Sequence, residues 1–268
     1  MKPLQGSFRR CCSEKKGRRN MDRIGYETRK TVSFFQIDAN RNMSPAALLS
    51  DLQEMAITHS DTLGYTLDYM MERMWAWTVV NWHLQIYRMP KHGETLTIQT
   101  WNNKFVRFQA ERSFFVFDEA GNKILDGMSR WVFMDLEKRK PANAPKEMAE
   151  RYHSGQEPAI AEERFLMPKE AEGELVCTRE LVVTRRDTDT NGHANNVKYL
   201  EWAMDDVPDA IYDGMEMTDV RIVYRKECMR GDTVQLKTFV KDTEGGKEVF
   251  SFLYDGETLM AEVITFWK

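Results

Sequence analysis

The sequence has few cysteines, and their positions exclude two kinds of protein. The four cysteines stand at positions 11, 12, 177 and 228. They form no Cys-x-x-Cys pair and no spacing with histidine that is typical of a zinc site or a disulfide framework. The sequence therefore predicts a reduced, cytoplasmic protein, in which we expect neither a metal ion nor a cofactor.

Long apolar runs and a strong net charge are also missing. The longest apolar runs, such as MWAWTVV at 74–80, fall well short of the roughly 20 residues that span a bilayer. The formal net charge of −4 is too small to indicate a nucleic-acid-binding surface. We therefore expect neither a membrane nor a nucleic acid as a partner.

The first 20 residues are basic but contain no apolar stretch of the kind found in secretory signals. This composition predicts a disordered basic extension over residues 1–20. Met21 is followed directly by patterned sequence, so it is an alternative start of translation.

The rest of the chain begins with a strand, a polar loop and a helix. TVSFFQI at 31–37 is typical of a strand, and Ser44 followed by Pro45 predicts a helix start, because serine caps free N–H groups and proline fits the first turn. Four strand-like runs separated by turn signals follow, at 74–87, 95–107, 110–117 and 124–135. The predicted helix has one apolar face, formed by Leu48, Leu49, Leu52, Met55 and Ala56.

The second half repeats this order. ELVVTRR at 180–186 reads as a strand, a helix begins at about Val197, and four strands are predicted near 220–224, 233–242, 248–255 and 258–266. A segment rich in proline and charge separates the halves. The sequence therefore predicts an α+β fold of two units, 21–137 and 176–268, joined by a linker at 138–175.

Aligning the two copies separates shared residues from unshared ones. When Asp38 is placed on Asp189, Asn40 falls on Asn191, but His193 is answered by Asn42. The Asp-x-Asn pair that both copies keep is therefore interpreted partly as a structural turn. His193 occurs in the second copy alone, which makes it the better catalytic candidate.

The alignment continues into the strand that follows each helix. Tyr87 falls on Tyr224, and one extra residue, interpreted as a β-bulge, is then needed in the second copy to align the glycines at 93 and 231. On this alignment Glu227 and Cys228 are answered by Pro90 and Lys91. The acid and the thiol are thus also confined to the second copy.

Two motifs resemble those of a known family. DTDTNGHANNVKYLEW at 187–202 is similar to the D-x-N-x-H-x-N-N-x-K-Y signature of the acyl-acyl-carrier-protein (acyl-ACP) thioesterases, and VYRKEC at 223–228 is similar to their Y-R-x-E-C element. The resemblance runs from about Met21 to the C-terminus. It implies a double hotdog fold, in which each of two tandem units wraps a curved antiparallel sheet round a central helix. It also implies hydrolysis of fatty acyl-ACP to free fatty acid and holo-ACP, which ends fatty acid synthesis.

The same resemblance implies that Asp189, Asn191, His193 and Glu227 are catalytic. An extended segment would direct the first three, at alternate positions, toward one side. The basic extension is short and lacks the serine-rich composition of a plastid presequence, so we expect a bacterial enzyme.

The role of Cys228 has two interpretations. Adjacent residues of a regular strand point to opposite faces, so Glu227 and Cys228 should not both enter the site. If Cys228 faces it, a Cys-His-Asn arrangement supplies a thiolate nucleophile. If Glu227 faces it, Glu227 and Asp189 form a carboxylate pair that activates water or attacks the carbonyl directly. The resemblance favours Glu227, and a buried cysteine is commonly a structural residue.

The first unit is expected to hold the acyl chain, in the region of Met70, Met74 and Trp75, although ordinary core packing explains these residues equally well. The acidic carrier protein requires a basic docking surface, and a solvated charged face is the alternative reading. A homodimer of the whole chain is left open. The candidate docking residues are Arg185, Arg186, Lys198, Arg221, Arg225, Lys226 and Arg230.

Other activities fit the same fold. An acyl-CoA thioesterase or a dehydratase of hydroxyacyl thioesters would use a similar cleft, so fold alone does not separate them. A non-catalytic acyl-thioester sensor would bind without turnover. Release of free acid distinguishes hydrolysis from the dehydratase and from the sensor.

Overall fold

A computed structural model describes residues 25–161, 167, 172–189 and 192–268. The predicted extension at 1–20 and the predicted catalytic residue Asn191 lie outside the described residues. Secondary-structure elements are numbered here in chain order.

The described residues form one large antiparallel sheet with five α-helices. The helices are α1 (Pro45–Thr62), α2 (Leu67–Glu72), α3 (Lys146–Tyr152), α4 (Asn196–Met204) and α5 (Asp209–Tyr212). The strands of the first half are β1 (Tyr26–Thr31), β2 (Trp75–Ile86), β3 (Thr95–Val106), β4 (Gln109–Phe117), β5 (Lys123–Asp135) and β6 (Lys140–Pro141). Those of the second half are β7 (Glu174–Val182), β8 (Met217–Tyr224), β9 (Thr233–Thr243), β10 (Gly246–Asp255) and β11 (Thr258–Trp267). The four long strands predicted in each half are confirmed, with ends that shift by up to three residues.

The sheet joins the two units edge to edge. Its strand order is β1-β3-β4-β5-β2-β8-β11-β10-β9-β7, with β6 added beside β5. Each unit therefore contributes one contiguous half, and the two halves meet where β2 pairs antiparallel with β8. His83 crosses this seam, since its Nε2 lies 2.8 Å from the Asp219 Oδ2.

The long helix of each unit begins as its cap residues predict. The Ser44 Oγ accepts the Ala47 N–H, and Pro45 occupies the first turn. The Asn195 Oδ1 accepts the Val197 N–H at the start of α4. The predicted apolar face of α1 is confirmed, because Leu48, Leu49, Leu52, Met55 and Ala56 are all buried. The same apolar cluster includes residues of α4 and of both halves of the sheet, so the two units share one core.

The prediction of a strand at 31–37 is wrong. Strand β1 ends at Thr31, and a 3-10 turn follows at Phe34–Gln36. The Ser33 N–H donates to the Gln36 Oε1, which favours the turn over an extended backbone, and Phe35 points into solvent. The second unit also forms a 3-10 turn in this place. Thr184 and Asp187 cap the turn at Arg185–Asp187, after β7 ends.

The stretch between the units is partly structured. Within the predicted linker at 138–175, β6 extends the first sheet, and α3 packs Met148 and Tyr152 against Met70 and Phe133. The unit boundaries themselves stay a prediction.

Candidate active site

The opening loop of the second unit is a closed turn. The Asp189 N–H donates to the His193 carbonyl over 2.8 Å, and the Gly192 N–H donates back to the Asp189 carbonyl. Gly192 has a φ of 81°, a conformation that favours glycine. The hydrogen bonds between Asp189 and His193 therefore replace the extended backbone on which alternate side chains would share one side.

The first unit closes the same turn. The Asp38 N–H donates to the Asn42 carbonyl over 2.9 Å, and the Arg41 N–H donates back to the Asp38 carbonyl. The carboxylate bond is also repeated, since the Asp38 Oδ1 accepts the Asn42 N–H and the Asp189 Oδ1 accepts the His193 N–H. The shared aspartate thus has the structural part that the alignment predicted.

His193 meets Glu227 beside this turn. The His193 Nε2 lies 3.3 Å from the Glu227 Oε2, and the Glu227 side chain is 55% exposed. A single bridge between His193 and Met229 holds the turn against the segment that follows β8. The structure therefore brings together Asp189, His193 and Glu227, three of the four predicted catalytic residues.

Cys228 faces the core instead. It is fully buried, its N–H donates to the Tyr199 hydroxyl over 3.0 Å, and its carbonyl accepts the Ala194 N–H. Burial raises the pKa of the thiol, which disfavours a thiolate. The arrangement supports the carboxylate interpretation over the Cys-His-Asn one.

The predicted one-residue insertion in the second unit is wrong. Trp82 and Leu84, which are buried on β2, occupy the same places in the repeat as Val220 and Ile222, which are buried on β8. The difference in residue number is the same for both pairs. The bridge between Asn42 and Lys91 repeats the bridge between His193 and Met229 with that same shift. No bulge is needed in this segment.

The corrected alignment changes the counterparts of the acid and the thiol. Glu227 is answered by Met89 and Cys228 by Pro90, whose carbonyl accepts the Met43 N–H as that of Cys228 accepts the Ala194 N–H. Both groups remain confined to the second unit.

A cavity of about 490 Å³ runs from this turn into the first unit. Asp189, Asn195 and Asn196 contribute its second-unit wall, at the N-terminus of α4, where first-turn N–H groups have no acceptor within the helix. The rest of its wall comes from α1, α2, β2 to β5 and α3. Of the predicted acyl-chain region, Met70 and Trp75 line the cavity and Met74 does not. The remaining lining residues include Ile57, Tyr65, Leu67, Met71, Trp77, Phe105, Arg112 and Tyr152.

Arg112 is the lining residue that sequence reasoning missed. It is 4% exposed, and its Nη1 donates to the His59 Nδ1 over 3.0 Å and to the Thr100 Oγ1 over 3.1 Å. A signal was present in the sequence, because Arg112 alternates with Ala110, Phe114 and Val116 in a strand and so occupies an inward position.

His59 makes the stability of the protein sensitive to acid. Burial and the Arg112 guanidinium lower the pKa of His59 from its ordinary 6.5 to about 3. The unfolded chain binds a proton here below about pH 6.5 and the folded chain does not, so stability falls as the pH drops from 6.5 toward 3. We expect this group alone to cost about 2 kcal/mol at pH 5.

Urea unfolding at pH 7 and pH 5 checks this expectation. His59→Gln keeps a hydrogen-bond acceptor and removes the titrating ring, so it should lose less stability on acidification than the unmodified protein. Equal losses in both proteins would assign the acid sensitivity to other groups.

The first unit has a counterpart of the site with different chemistry. A cavity of about 260 Å³ is lined by Asp38, Asn42 and Met89, the counterparts of Asp189, His193 and Glu227. Tyr212 of the second unit donates to the Asp38 Oδ2 over 3.3 Å. Without an imidazole or a second carboxylate, these counterparts lack the predicted acid–base groups.

Metal sites and membrane-spanning helices are both absent from the described residues. No three His, Cys, Asp or Glu side chains come together there as a metal site. No helix in the described ranges is long and apolar enough to cross a membrane.

Two contiguous halves of one antiparallel sheet, joined where β2 pairs with β8 and each accompanied by a long helix, define a double hotdog protein. The model of the acyl-ACP thioesterase N-terminal domain matches residues 24–152, and that of the C-terminal domain matches residues 171–268. The chain therefore belongs to the acyl-ACP thioesterase family.

Two curated plant proteins are similar in sequence to this chain. The chain is 25% identical over 240 residues to the chloroplastic oleoyl-acyl carrier protein thioesterase 1 of Arabidopsis thaliana, covering 84% of this chain and 66% of that protein. It is 27% identical over 221 residues to the chloroplastic dodecanoyl-[acyl-carrier-protein] hydrolase of Cinnamomum camphora, covering 78% of this chain and 58% of the relative. The alignments thus span about three fifths to two thirds of these relatives' length.

Two solved structures show the same fold at 22% identity each. The 12:0-ACP thioesterase from Umbellularia californica superposes with a TM-score of 0.80, covering 91% of this chain and 96% of that one. An acyl-ACP thioesterase from Bacteroides thetaiotaomicron superposes with a TM-score of 0.78, covering 91% and 97%.

Proposed function

We propose that this protein is an acyl-ACP thioesterase that hydrolyses fatty acyl-ACP to free fatty acid and holo-ACP, and so ends fatty acid synthesis in a bacterial cytoplasm. The observation that carries the proposal is the cavity that connects a largely apolar pocket in the first unit to Asp189 and the N-terminus of α4. The acyl chain occupies the pocket, and the thioester lies at the second-unit end.

The polar groups beside that end suit hydrolysis: Asp189 lines the cavity, and His193 and Glu227 lie next to the turn that Asp189 closes. Glu227 accepts a proton from a water molecule as the water oxygen attacks the thioester carbon. The His193 Nε2, 3.3 Å from the Glu227 Oε2, orients the carboxylate and the water. The Asn196 N–H at the start of α4 stabilises the negative oxygen of the tetrahedral intermediate, since the Val197 and Lys198 N–H groups are already bonded to Asn195. The carbon–sulfur bond then breaks, and the departing thiolate takes up a proton to give the free thiol of the carrier.

Asn191 is proposed as a fourth member of the site, from the signature that it shares with the family. Asp189 has two tasks in this scheme. It closes the turn that positions His193, and it contributes a carboxylate to the cavity wall. Cys228 contributes to core packing.

The test is release of free fatty acid from acyl-ACPs and acyl-CoAs of graded length. We expect release from acyl-ACP, loss of release in Asp189→Ala, and retention in Asp38→Ala, which removes the equivalent turn acceptor of the first unit. Faster release from acyl-CoA would replace the proposal with an acyl-CoA thioesterase. Tight thioester binding without release would indicate a sensor.

The carrier is expected to dock beside the turn. Of the candidate basic residues, Lys198, Arg221 and Arg225 are already paired with Glu201, Asp219 and Glu262. The other four are exposed and form no ion pair with another described residue. They flank the turn in the chain, and the Arg230 N–H reaches the Gly192 carbonyl over 3.4 Å. These four are Arg185, Arg186, Lys226 and Arg230.

Charge reversal at this surface should weaken docking and not chemistry. We expect Arg186→Glu combined with Arg230→Glu to raise the KM for acyl-ACP about tenfold with little change in kcat, and added salt to raise the KM of the unmodified protein. Arg29→Glu, on the distant edge strand β1, is the control. A matching rise in KM in the control would show a loss of net charge and not of a docking site.

A further inference from the structure

The cavity that runs from Asp189 into the first unit has a positively charged side chain in its wall, that of Arg112. Its place in the strand is one where an apolar residue is expected. On β4, Ala110, Phe114 and Val116 are buried against the helix side of the sheet, and Arg112 lies between them in the same alternation. Burying a charge in an apolar wall is unfavourable unless an opposite charge accompanies it.

Arg112 has only neutral partners among the described residues. Its Nη1 donates to the His59 ring and to the Thr100 hydroxyl, and its guanidinium carbon lies 5.8 Å from the centre of the Tyr152 ring. Burial together with this guanidinium keeps the His59 ring neutral by lowering its pKa. No described carboxylate forms an ion pair with Arg112.

Other polar atoms on the same wall also lack partners. The Trp77 Nε1 and the Asn102 Oδ1 are buried without a hydrogen bond to any residue that the structure describes, and so is the Gln53 Oε1. All three residues line the cavity with Arg112. Buried polar groups in native proteins are almost always paired, so several unpaired atoms round one cavity indicate a polar occupant.

The sheet order fixes where along the cavity this group lies. Asp189 and α4 belong to the second unit, whose half of the sheet meets the first unit at β8, whereas β4 is three strands from β8 through β2 and β5. Strands are spaced about 4.8 Å apart, so Arg112 lies roughly 14 Å along the sheet from that first strand of the second unit. A group that pairs with Arg112 is therefore remote from the thioester, toward the far end of the acyl chain.

We propose that the preferred substrates carry a carboxylate at the end of the acyl chain opposite the thioester, and that Arg112 binds it. The inference rests on the proposed thioesterase function and specifies its substrate class. A guanidinium matches the two oxygens of a carboxylate, and the Trp77 N–H is a further donor on the same wall. The Asn102 amide also donates once its two ends are exchanged by rotation. A hydroxyl would satisfy a hydrogen bond but would leave the buried charge unbalanced.

The experiment compares two series of acyl-ACPs of matched length, one ending in a carboxylate and one in a methyl group. We expect the unmodified protein to favour the carboxylate series at least about tenfold in kcat/KM at its best length. Arg112→Met keeps an unbranched side chain and removes the charge, so it should reverse this preference. Arg112→Lys keeps a positive charge and should retain part of the preference for the carboxylate series. A preference for methyl-ended chains that Arg112→Met leaves unchanged would overturn the proposal.

A binding measurement needs no variant and no turnover. Calorimetric titration of the full chain with amides of equal length, which end in a carboxylate or in a methyl group opposite the amide, should give tighter binding of the carboxylate-ended amides, and equal binding would overturn the proposal. Hydrolysis of methyl-ended chains alone would leave the thioesterase function standing and reject the carboxylate. Hydrolysis of neither series would reject the function, and the titration would then still decide whether Arg112 binds a carboxylate.

Discussion

Glu227→Ala is expected to lower the kcat for acyl-ACP hydrolysis about 10²- to 10⁴-fold, the range typical of a positioned general base. The carboxylate lies 3.3 Å from the His193 ring and is more than half exposed, so it is accessible to water and its removal leaves no cavity in the core. Because the loss is in chemistry, the KM should change little. Steady-state release of free fatty acid at saturating acyl-ACP measures the effect.

Three variants separate this expectation from its alternatives. Cys228→Ser should keep most of the activity, since the thiol is buried beside Tyr199. Met89→Ala changes the counterpart of Glu227 in the first unit and should have little effect on kcat. His193→Asn gives the second unit the residue that the first unit has, and should lower kcat as well. An acyl-enzyme trapped on Cys228, with Glu227→Ala still active, would reverse the assignment.

Trp82→Ala should cost about 3–5 kcal/mol of the free energy of unfolding, the usual range for removing a large aromatic side chain from a core. Trp82 is fully buried on β2 at the seam, where it pairs with Ile222 of the second unit. Its ring packs 5.2 Å from that of Phe114, centre to centre. Relaxation is limited because the rings of Phe114 and Trp131 both pack against the Trp82 ring.

Denaturant unfolding of the variant and of Phe35→Ala checks this expectation. Phe35 is 95% exposed, so its removal should change stability by no more than about 0.5 kcal/mol. Trp82 Nε1 has no hydrogen-bond partner in the protein, so Trp82→Phe should be milder than Trp82→Ala. A loss below about 1 kcal/mol in Trp82→Ala would show that the seam repacks freely.

Local patterns predicted the secondary structure where chemistry acts within a few residues. Ser44 and Pro45 marked the start of α1 because capping needs only neighbouring groups, and alternation in the long strands reported burial on one face. The 3-10 turn at Phe34–Gln36 escaped prediction. Its apolar residues imitate a strand, and the bond from the Ser33 N–H to Gln36 was not recognised.

The alternation rule could not decide between Glu227 and Cys228, since β8 ends at Tyr224 and the following segment is irregular. Only the tertiary structure shows that Cys228 is buried and that its N–H is bonded to Tyr199 of α4, which favours Glu227. The extra residue expected in this segment was an error of register. The sequence alignment matched Tyr87 with Tyr224, and the burial pattern in the structure does not support that match.

By itself the sequence determined that this chain is a tandem repeat, that its second copy alone has the histidine and the acid, and that a capped helix follows the conserved turn of each copy. These features depend on local hydrogen bonding and on the order of residues. Only the tertiary structure decided that the repeats share one sheet and one core, that His193 lies against Glu227, and that Arg112 is buried in the wall of a cavity that reaches Asp189. Such contacts join residues distant in the chain, and their energies depend on burial and on which charges share a cavity, which no local pattern records.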